Sequence, residues 1–163
     1  MKKITIIGTG YVGLVSGAGL AEFGHEVACL DIDENKINNL NSGKIPIYEP
    51  GLENLVRKNV QDKRLAFSSD IEKNIIESKI IFIAVGTPQD ENGKADLKAV
   101  KSVVDLVANN LNNYKIICTK STVPVGTGKW IESQIKSINP NLDFDYVSNP
   151  EFLREGAAVN DFL

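Results

Sequence analysis

Ile4-Thr5-Ile6-Ile7-Gly8-Thr9-Gly10-Tyr11-Val12-Gly13 is the stretch that decides the fold of this chain. A short apolar run, typical of a buried strand, ends in three glycines spaced G-x-G-x-x-G, and a predicted helix follows as far as about Phe23. In that setting Gly8 permits a tight turn, Gly10 lets a pyrophosphate approach the backbone, and Gly13 lets the helix lie close to the strand. The helix directs its unpaired N–H groups at the phosphates.

The glycine pattern alone is weak, because such spacings arise by chance in loops, but its surroundings support a dinucleotide site. A second predicted strand, 26–30, ends at Asp31, close to the ~20-residue spacing after Gly13 that places a carboxylate on the adenosine ribose. Such a carboxylate accepts the 2′-hydroxyl and repels a 2′-phosphate, whereas NADP sites usually offer an arginine nearby. The next cation is Lys36 and the first arginine is Arg57. The sequence therefore predicts NAD.

Composition excludes several classes of protein. With 163 residues, of which 42% are hydrophobic and 24% charged, the chain fits one globular domain. The net charge of −3 gives no indication of a nucleic-acid or membrane-surface partner. No apolar stretch approaches the ~20 residues of a membrane span, and the start lacks the pattern of a secretory signal. We expect a cytoplasmic protein with neither a nucleic acid nor a membrane as partner.

The sequence also offers little for thiol or metal chemistry. Cys29 and Cys118 lie inside apolar predicted strands, so we expect small buried core residues rather than a disulfide or an activated nucleophile. The single histidine, His25, follows a glycine at a predicted helix end and is interpreted as a turn residue. With no Cys-x-x-Cys pair, no metal site is expected.

Apolar runs alternate with helical patterns along the chain, which predicts an α/β fold. We expect one domain over 1–163, a Rossmann-type doubly wound parallel sheet of about six strands with helices on both faces and strand order 3-2-1-4-5-6. The predicted strands are 4–7, 26–30, 65–67, 79–85, 115–119 and 144–147. The predicted helices are 11 to about 23, from after Asp31 to near 41–43, 52–59, from Ile71 with Asp70 as cap, 97 to about 111 with Asp96 as cap, and 128–138.

Ligands of such sheets bind at the carboxyl ends of the strands, where the strand order reverses. Three hydroxyls there, on Thr87, Ser121 and Thr122, suit a nicotinamide ribose, an amide or a water. Ser and Thr before Pro are also turn formers, and for Thr87 the two interpretations stay open. For Ser121 and Thr122 the binding role is favoured, because the fifth strand borders the switch point.

Two glutamates near the end of the chain are the candidate acid/base groups. Asn149 predicts the cap of a short helix, Pro150 its first position and Gly156 its end, so that Glu151 and Glu155 would share one face. A glutamate at a helix N-terminus is also stabilised there simply as an anion. A general base has the same composition, so composition does not decide between these roles.

Five motifs in this order resemble the UDP-glucose/GDP-mannose dehydrogenase family. They are GTGYVG (8–13), PIYEPGL (46–52), GTP (86–88), STVPVG (121–126) and NPEFLREG (149–156). The resemblance spans nearly the whole chain and is far more specific than the glycine pattern. It implies a four-electron oxidation of a nucleotide sugar's primary alcohol to a carboxylate with two NAD, through a cysteine-bound thiohemiacetal and thioester. UDP-glucose is the expected substrate, and the full-length protein is expected to form a homodimer or higher oligomer.

The resemblance also implies roles for individual residues. The adenosine and pyrophosphate would be held by Gly8, Thr9, Gly10, Tyr11, Val12, Gly13, Asp31 and Lys36. The rest of the NAD would lie along Val85, Gly86, Thr87, Pro88, Gln89, Ser121, Thr122 and Glu155. The sugar would contact Glu151, Phe152, Leu153, Arg154 and Glu155. Glu151 would be the acid/base of thioester hydrolysis and Thr122 would help to place the water, whereas no role is assigned to 48–51.

Family members run to more than twice this length, and their nucleophilic cysteine and nucleotide-binding domain belong to the part not found here. Neither Cys29 nor Cys118 matches the nucleophile's motif. We therefore expect the NAD-binding part of a longer enzyme, inactive by itself. The alternatives are a sister dehydrogenase for GDP-mannose or a UDP-N-acetyl sugar, and a free-standing NAD-binding module. An S-adenosylmethionine methyltransferase is disfavoured by Gly13, Glu151 and the motif at 121–122.

Overall fold

The computed structural model describes residues 1–163 as one parallel sheet covered by helices on both faces. The strands are β1 Lys3–Ile7, β2 Glu26–Leu30, β3 Leu65–Ser68, β4 Ile80–Ile83, β5 Lys115–Thr119 and β6 Phe144–Ser148. They lie in the order β3-β2-β1-β4-β5-β6, and every neighbouring pair is parallel. The helices are α1 Tyr11–Glu22, α2 Glu34–Asn41, α3 Leu52–Gln61, α4 Ile71–Glu77, α5 Lys98–Asn110, α6 Thr127–Ile138 and α7 Ala158–Phe162. The predicted Rossmann-type fold and strand order are confirmed.

Two hydrophobic cores, one on each face, hold the helices to the sheet. Ile4 and Ile6 of β1 point into a cluster of 17 buried residues shared with α1, α2, α3 and α7. Ile7 of β1, with Ile81 and Ile83 of β4, belongs to a cluster of 15 buried residues shared with α4, α5 and α6. Burial on both faces explains why these strands read as unbroken apolar runs. None of the helices is both long and apolar enough to cross a bilayer.

Both cysteines are buried and unpaired, as predicted. Burial raises the pKa of the Cys29 thiol to about 12 and that of the Cys118 thiol to about 11. The Cys29 sulfur lies 3.9 Å from the carbonyl oxygen of Gly13, under α1. A thiol with so high a pKa is a poor nucleophile at neutral pH, because the thiolate is the reactive form.

Local signals placed most element ends within a residue or two. Asp70 caps α4 as predicted, since its carboxylate accepts from the backbone N–H of Lys73 at 3.2 Å. Asp96 accepts from the N–H of Lys98 at 2.9 Å, but Leu97 is the capping residue of α5, so this cap is displaced by one position. β4 ends at Ile83, two residues earlier than predicted. The N–H groups of Lys120 and Ser121 both donate to the carbonyl of Ile83, and the regular pairing of β4 with β5 stops there.

The predicted helix over 149–156 is wrong. Residues 149–154 are irregular, a turn follows, and the short helix α7 begins only at Ala158. The side chains expected at the start of that helix make other hydrogen bonds. The Asn149 side chain accepts from Lys120 Nζ at 3.2 Å, and Glu151 accepts from the N–H of Leu153 at 2.7 Å. The predicted shared helical face of Glu151 and Glu155 is therefore wrong as well.

Candidate functional site: a coenzyme cleft at the switch point

A cleft of about 410 Å³ opens at the carboxyl ends of β1, β2 and β4, where the strand order reverses. Part of the predicted coenzyme set lines it, together with apolar side chains of α5 such as Val103 and Leu106. The predicted residues in its walls are Gly8, Thr9, Gly10, Asp31, Lys36, Val85 and Gly86. The cleft therefore joins the glycine-rich turn, the tip of β2 and the end of β4, as the sequence predicts.

The glycine-rich turn leaves the first N–H groups of α1 without a side-chain acceptor. Gly8 has φ +109, a left-handed conformation that favours glycine, and its N–H donates to the carbonyl of Leu30 at 2.7 Å. Gly10 is the N-cap of α1 and supplies no capping side chain. A helix start with bare N–H groups and a positive dipole end is suited to an anion such as a pyrophosphate.

Asp31 lies directly beside that turn, after the last residue of β2, and is fixed by four hydrogen bonds. Its Oδ2 accepts from the N–H of Thr9 at 3.0 Å, from the Thr9 hydroxyl at 2.7 Å and from Lys36 Nζ at 2.9 Å. Its Oδ1 accepts only from the N–H of Asp33, at 3.2 Å, which leaves acceptor capacity for a ribose hydroxyl. Burial favours the neutral acid, but the hydrogen bonds from Thr9 and Lys36 outweigh it and lower the pKa of Asp31 to about 2.

This depressed pKa predicts a pH-dependent contribution to stability. Ionised Asp31 stabilises the folded chain above its ordinary pKa of 3.8, and the contribution is lost as the pH falls toward 2. We expect the wild type to exceed Asp31→Asn by about 2 kcal/mol in free energy of unfolding at pH 6, and the gap to close between about pH 4 and 2. Urea unfolding of both chains across that range measures it. A gap that persists undiminished at pH 2 would contradict the assignment.

The predicted hydroxyls tie the ends of β4 and β5 together. The Ser121 hydroxyl is buried and donates to the carbonyl of Val85 at 2.7 Å, and the Thr87 hydroxyl donates to the carbonyl of Thr122 at 2.8 Å. The Thr122 side chain is exposed. The remaining coenzyme candidates outside the cleft walls are Tyr11, Val12, Gly13, Pro88, Gln89 and Glu155. Thr87 and Ser121 therefore have structural partners already, while the Thr122 side chain is open to solvent.

The candidate acid/base segment lies next to a buried lysine. Lys120, only 5% exposed, follows β5 and places its Nζ 5.7 Å from the centre of the exposed Phe152 ring. Burial lowers the pKa of Lys120, and the negative charge of Glu151 partly offsets this. Glu151 is half-buried, whereas Glu155 is exposed at the turn before α7. Arg154, a predicted sugar contact, is paired with Asp161, with Nε 3.0 Å from Oδ2.

Two functional candidates escape sequence reasoning. Lys120 directly follows the apolar strand β5 and precedes Ser121, a position at the carboxyl edge of the sheet that could have marked it as a candidate. Glu49 is 5% exposed and accepts from the Tyr11 hydroxyl at 2.6 Å, although 38 residues separate them. Only the fold reveals such a partner, so no local signal identifies Glu49.

The model of the UDP-glucose/GDP-mannose dehydrogenase family, NAD binding domain, matches residues 2–163. The chain belongs to this family. The resemblance drawn from the five motifs is confirmed, and NAD is the coenzyme, as predicted from Asp31.

Three known members of the UDP-glucose/GDP-mannose dehydrogenase family place the chain within it. A UDP-glucose 6-dehydrogenase of Bacillus subtilis (strain 168) is 58% identical over 164 residues, covering 100% of this chain and 36% of that protein. The structure of a UDP-glucose dehydrogenase from Pyrobaculum islandicum has a TM-score of 0.94 at 36% identity, covering 99% of this chain and 38% of that one. The structure of a GDP-mannose dehydrogenase from Pseudomonas aeruginosa has a TM-score of 0.93 at 37% identity, covering 99% of this chain and 38% of that one. The chain therefore spans little more than a third of these relatives.

Proposed function

We propose that this chain is the coenzyme-binding part of a longer NAD-dependent dehydrogenase that oxidises UDP-glucose to UDP-glucuronate in two hydride transfers. The observation that carries the proposal is that the bare N-terminus of α1 and the carboxylate of Asp31 lie together in the wall of one cleft. The identity to a UDP-glucose 6-dehydrogenase, 58%, favours this substrate over the sister ones.

The residues of the cleft fit NAD. A Cβ built on Gly10 meets no atom within 4 Å, so the turn has open space where a pyrophosphate would approach. Asp31 has a free acceptor site for the adenosine ribose, and its charge disfavours a 2′-phosphate there. When bound, NAD accepts the hydride from the sugar. We place the rest of the coenzyme along 85–89, 121–122 and Glu155.

The acid/base work is proposed for the segment after β6. Glu151 is a half-buried carboxylate whose charge acts on the ammonium of Lys120, and a carboxylate beside the ends of the strands is a candidate general base. The exposed Thr122 hydroxyl can orient a water, and 151–155 are placed against the sugar. Both cysteines of this chain are buried, with raised pKa values, so the thiol nucleophile is proposed to come from the part of the enzyme outside this chain.

A sister substrate is the second candidate. The structural match to a GDP-mannose dehydrogenase, with a TM-score of 0.93 at 37% identity, is nearly the same as that to a UDP-glucose dehydrogenase, 0.94 at 36% identity. The test is turnover by the full-length protein with UDP-glucose, GDP-mannose and a UDP-N-acetyl sugar. We expect UDP-glucose to be preferred, with two NADH formed per sugar. Preference for another sugar would replace the substrate, and binding of NAD without turnover of any would leave a coenzyme-binding module.

Coenzyme selectivity is predicted to depend on Asp31. In Asp31→Asn the charge that repels a 2′-phosphate is gone and Lys36 is released to meet one. We expect about tenfold weaker NAD binding and a gain in NADP binding relative to NAD. Calorimetric titration of the chain with NAD, NADP and S-adenosylmethionine measures this, with Asp62→Asn, an exposed carboxylate outside the cleft, as the control. An unchanged NAD preference would contradict the role of Asp31.

A further inference from the structure

The segment 48–51, to which the sequence assigns no role, holds a buried carboxylate with no cation as partner. Glu49 lies between two prolines, in the connection between α2 and α3. Its Oε2 accepts from the Tyr11 hydroxyl at 2.6 Å and from the N–H of Gly156 at 2.8 Å, and its Oε1 accepts from the N–H of Ala158 at 2.9 Å. Hydrogen bonds rather than an ion pair therefore compensate for its burial.

These bonds connect three parts of the chain that are distant in sequence. Tyr11 is the first residue of α1 and belongs to the glycine-rich coenzyme turn. Gly156 and Ala158 follow the candidate acid/base segment directly, and they lie 107 and 109 residues from Glu49. One carboxylate thus fastens the end of that segment to the beginning of the coenzyme helix.

The shifts in pKa at this contact keep Glu49 ionised and the Tyr11 hydroxyl protonated. The hydrogen bond from Tyr11, together with those from Gly156 and Ala158, outweighs burial and lowers the pKa of Glu49. Burial, the bond to Glu49 and the charges of Glu155 and Glu151 all raise the pKa of Tyr11. Near neutral pH the phenol therefore remains the donor and the carboxylate the acceptor. The carbonyl of Arg154 lies 3.5 Å from the same phenol oxygen, so the segment passes directly over Tyr11.

We propose that Glu49 is a positioning residue that holds the turn at 154–158 against the first turn of α1, and thereby fixes Glu151 and Glu155 relative to the bound coenzyme. The inference rests on the proposed function of that segment. Positioning differs from general stabilisation in where the hydrogen bonds of Glu49 end. They reach backbone N–H groups of the turn, whereas in the glycine-rich loop they reach only the side chain of Tyr11. Loss of Glu49 should therefore disturb catalysis more than coenzyme binding.

The test uses Glu49→Gln, Tyr11→Phe and the control Glu22→Gln. A glutamine turns an N–H₂ group toward at least one of the three donors, whatever its orientation. Tyr11→Phe removes one bond and keeps the ring, so it remains informative if Glu49→Gln fails to fold. Glu22 is matched to Glu49 because it also links two elements, accepting from Asn59 Nδ2 at 2.9 Å, but it lies away from the turn.

Amide hydrogen exchange resolved by NMR reads the turn directly, whatever the activity. We expect the N–H groups of Gly156 and Ala158 to exchange about tenfold faster in Glu49→Gln, less than that in Tyr11→Phe, and at the wild-type rate in Glu22→Gln. Wild-type exchange in Glu49→Gln, or in Tyr11→Phe when Glu49→Gln does not fold, would overturn the proposal.

Kinetics of the full-length protein then separate positioning from stability. We expect kcat to fall about tenfold in Glu49→Gln with the KM for NAD within about twofold, and both to stay unchanged in Glu22→Gln. Faster exchange with unaltered kcat, or an equal loss in the affinity for NAD, would overturn the positioning role. A wild type that binds no NAD would instead overturn the proposed function, while the exchange rates would still report whether Glu49 holds the turn.

Discussion

Gly10→Ala is expected to weaken NAD binding by about a hundredfold, because displacing the pyrophosphate loses about two charge-assisted hydrogen bonds to helix N–H groups. The folded chain itself does not need a glycine there. Its backbone, at φ −74 and ψ −169, is accessible to alanine, and a built Cβ meets no atom within 4 Å. Calorimetric titration with NAD measures the affinity, and urea unfolding, expected within about 1 kcal/mol of the wild type, measures the stability.

Gly13→Ala supplies the contrast within the same motif. A Cβ there would fall on the carbonyl oxygen of Gly8, which is backbone and cannot move aside, so α1 could no longer lie against β1. We expect a loss of about 3 kcal/mol or more in unfolding free energy, accompanied by loss of NAD binding. If Gly10→Ala were destabilised as much as Gly13→Ala, the second glycine would be structural and the pyrophosphate site would have to lie elsewhere.

Glu151→Gln is expected to reduce kcat of the full-length protein by about a hundredfold, the range of general acid–base catalysis. The amide keeps the size of the side chain and still accepts the 2.7 Å bond from the N–H of Leu153, so the segment is not expected to move. What is lost is the proton that the group holds or releases, together with its charge beside Lys120. Steady-state turnover measured with saturating NAD and sugar reads this effect.

The matched control for Glu151 is Glu72→Gln, an exposed carboxylate on α4 that does not line the coenzyme cleft, which should leave kcat unchanged. The Kd for NAD should stay within about twofold of the wild type in both variants, because the turnover loss belongs to the chemical steps. Normal turnover in Glu151→Gln would contradict the acid/base role. It would mean that Glu151 is a structural residue, which only accepts the hydrogen bond from the N–H of Leu153.

The coenzyme half of the site could be predicted from the sequence because each of its signals is local. The apolar run, the glycine spacing and the acid at the tip of β2 all lie between Ile4 and Asp31, and strand and helix there begin and end close to the predicted residues. Burial of both faces of the sheet gives the strands a continuous apolar pattern, which is readable without knowing the partners.

The other half could not be predicted because distant partners override its local signals. Asn149 with the following proline has the composition of a helix start, yet Lys120 takes the asparagine side chain and Glu49 takes the N–H groups further on. A helix spanning 149–156 would use the Asn149 side chain as its cap and the N–H of Gly156 internally, so tertiary hydrogen bonds compete directly with the local preference. The role of Glu49 could not be predicted either, because its partners are distant in sequence and it belongs to no hydrophobic periodicity or cap pattern.

Because Cys29 is buried under α1, its reaction with a thiol reagent can report how often α1 separates from the sheet. The Cys29 side chain has no exposed surface, so an alkylating reagent reaches it only in molecules where α1 has lifted from β2. The labelling rate under native conditions therefore measures how often the coenzyme half comes apart. We expect NAD to bind only the closed form, and saturating coenzyme should then slow the labelling by a factor of about its concentration divided by its Kd.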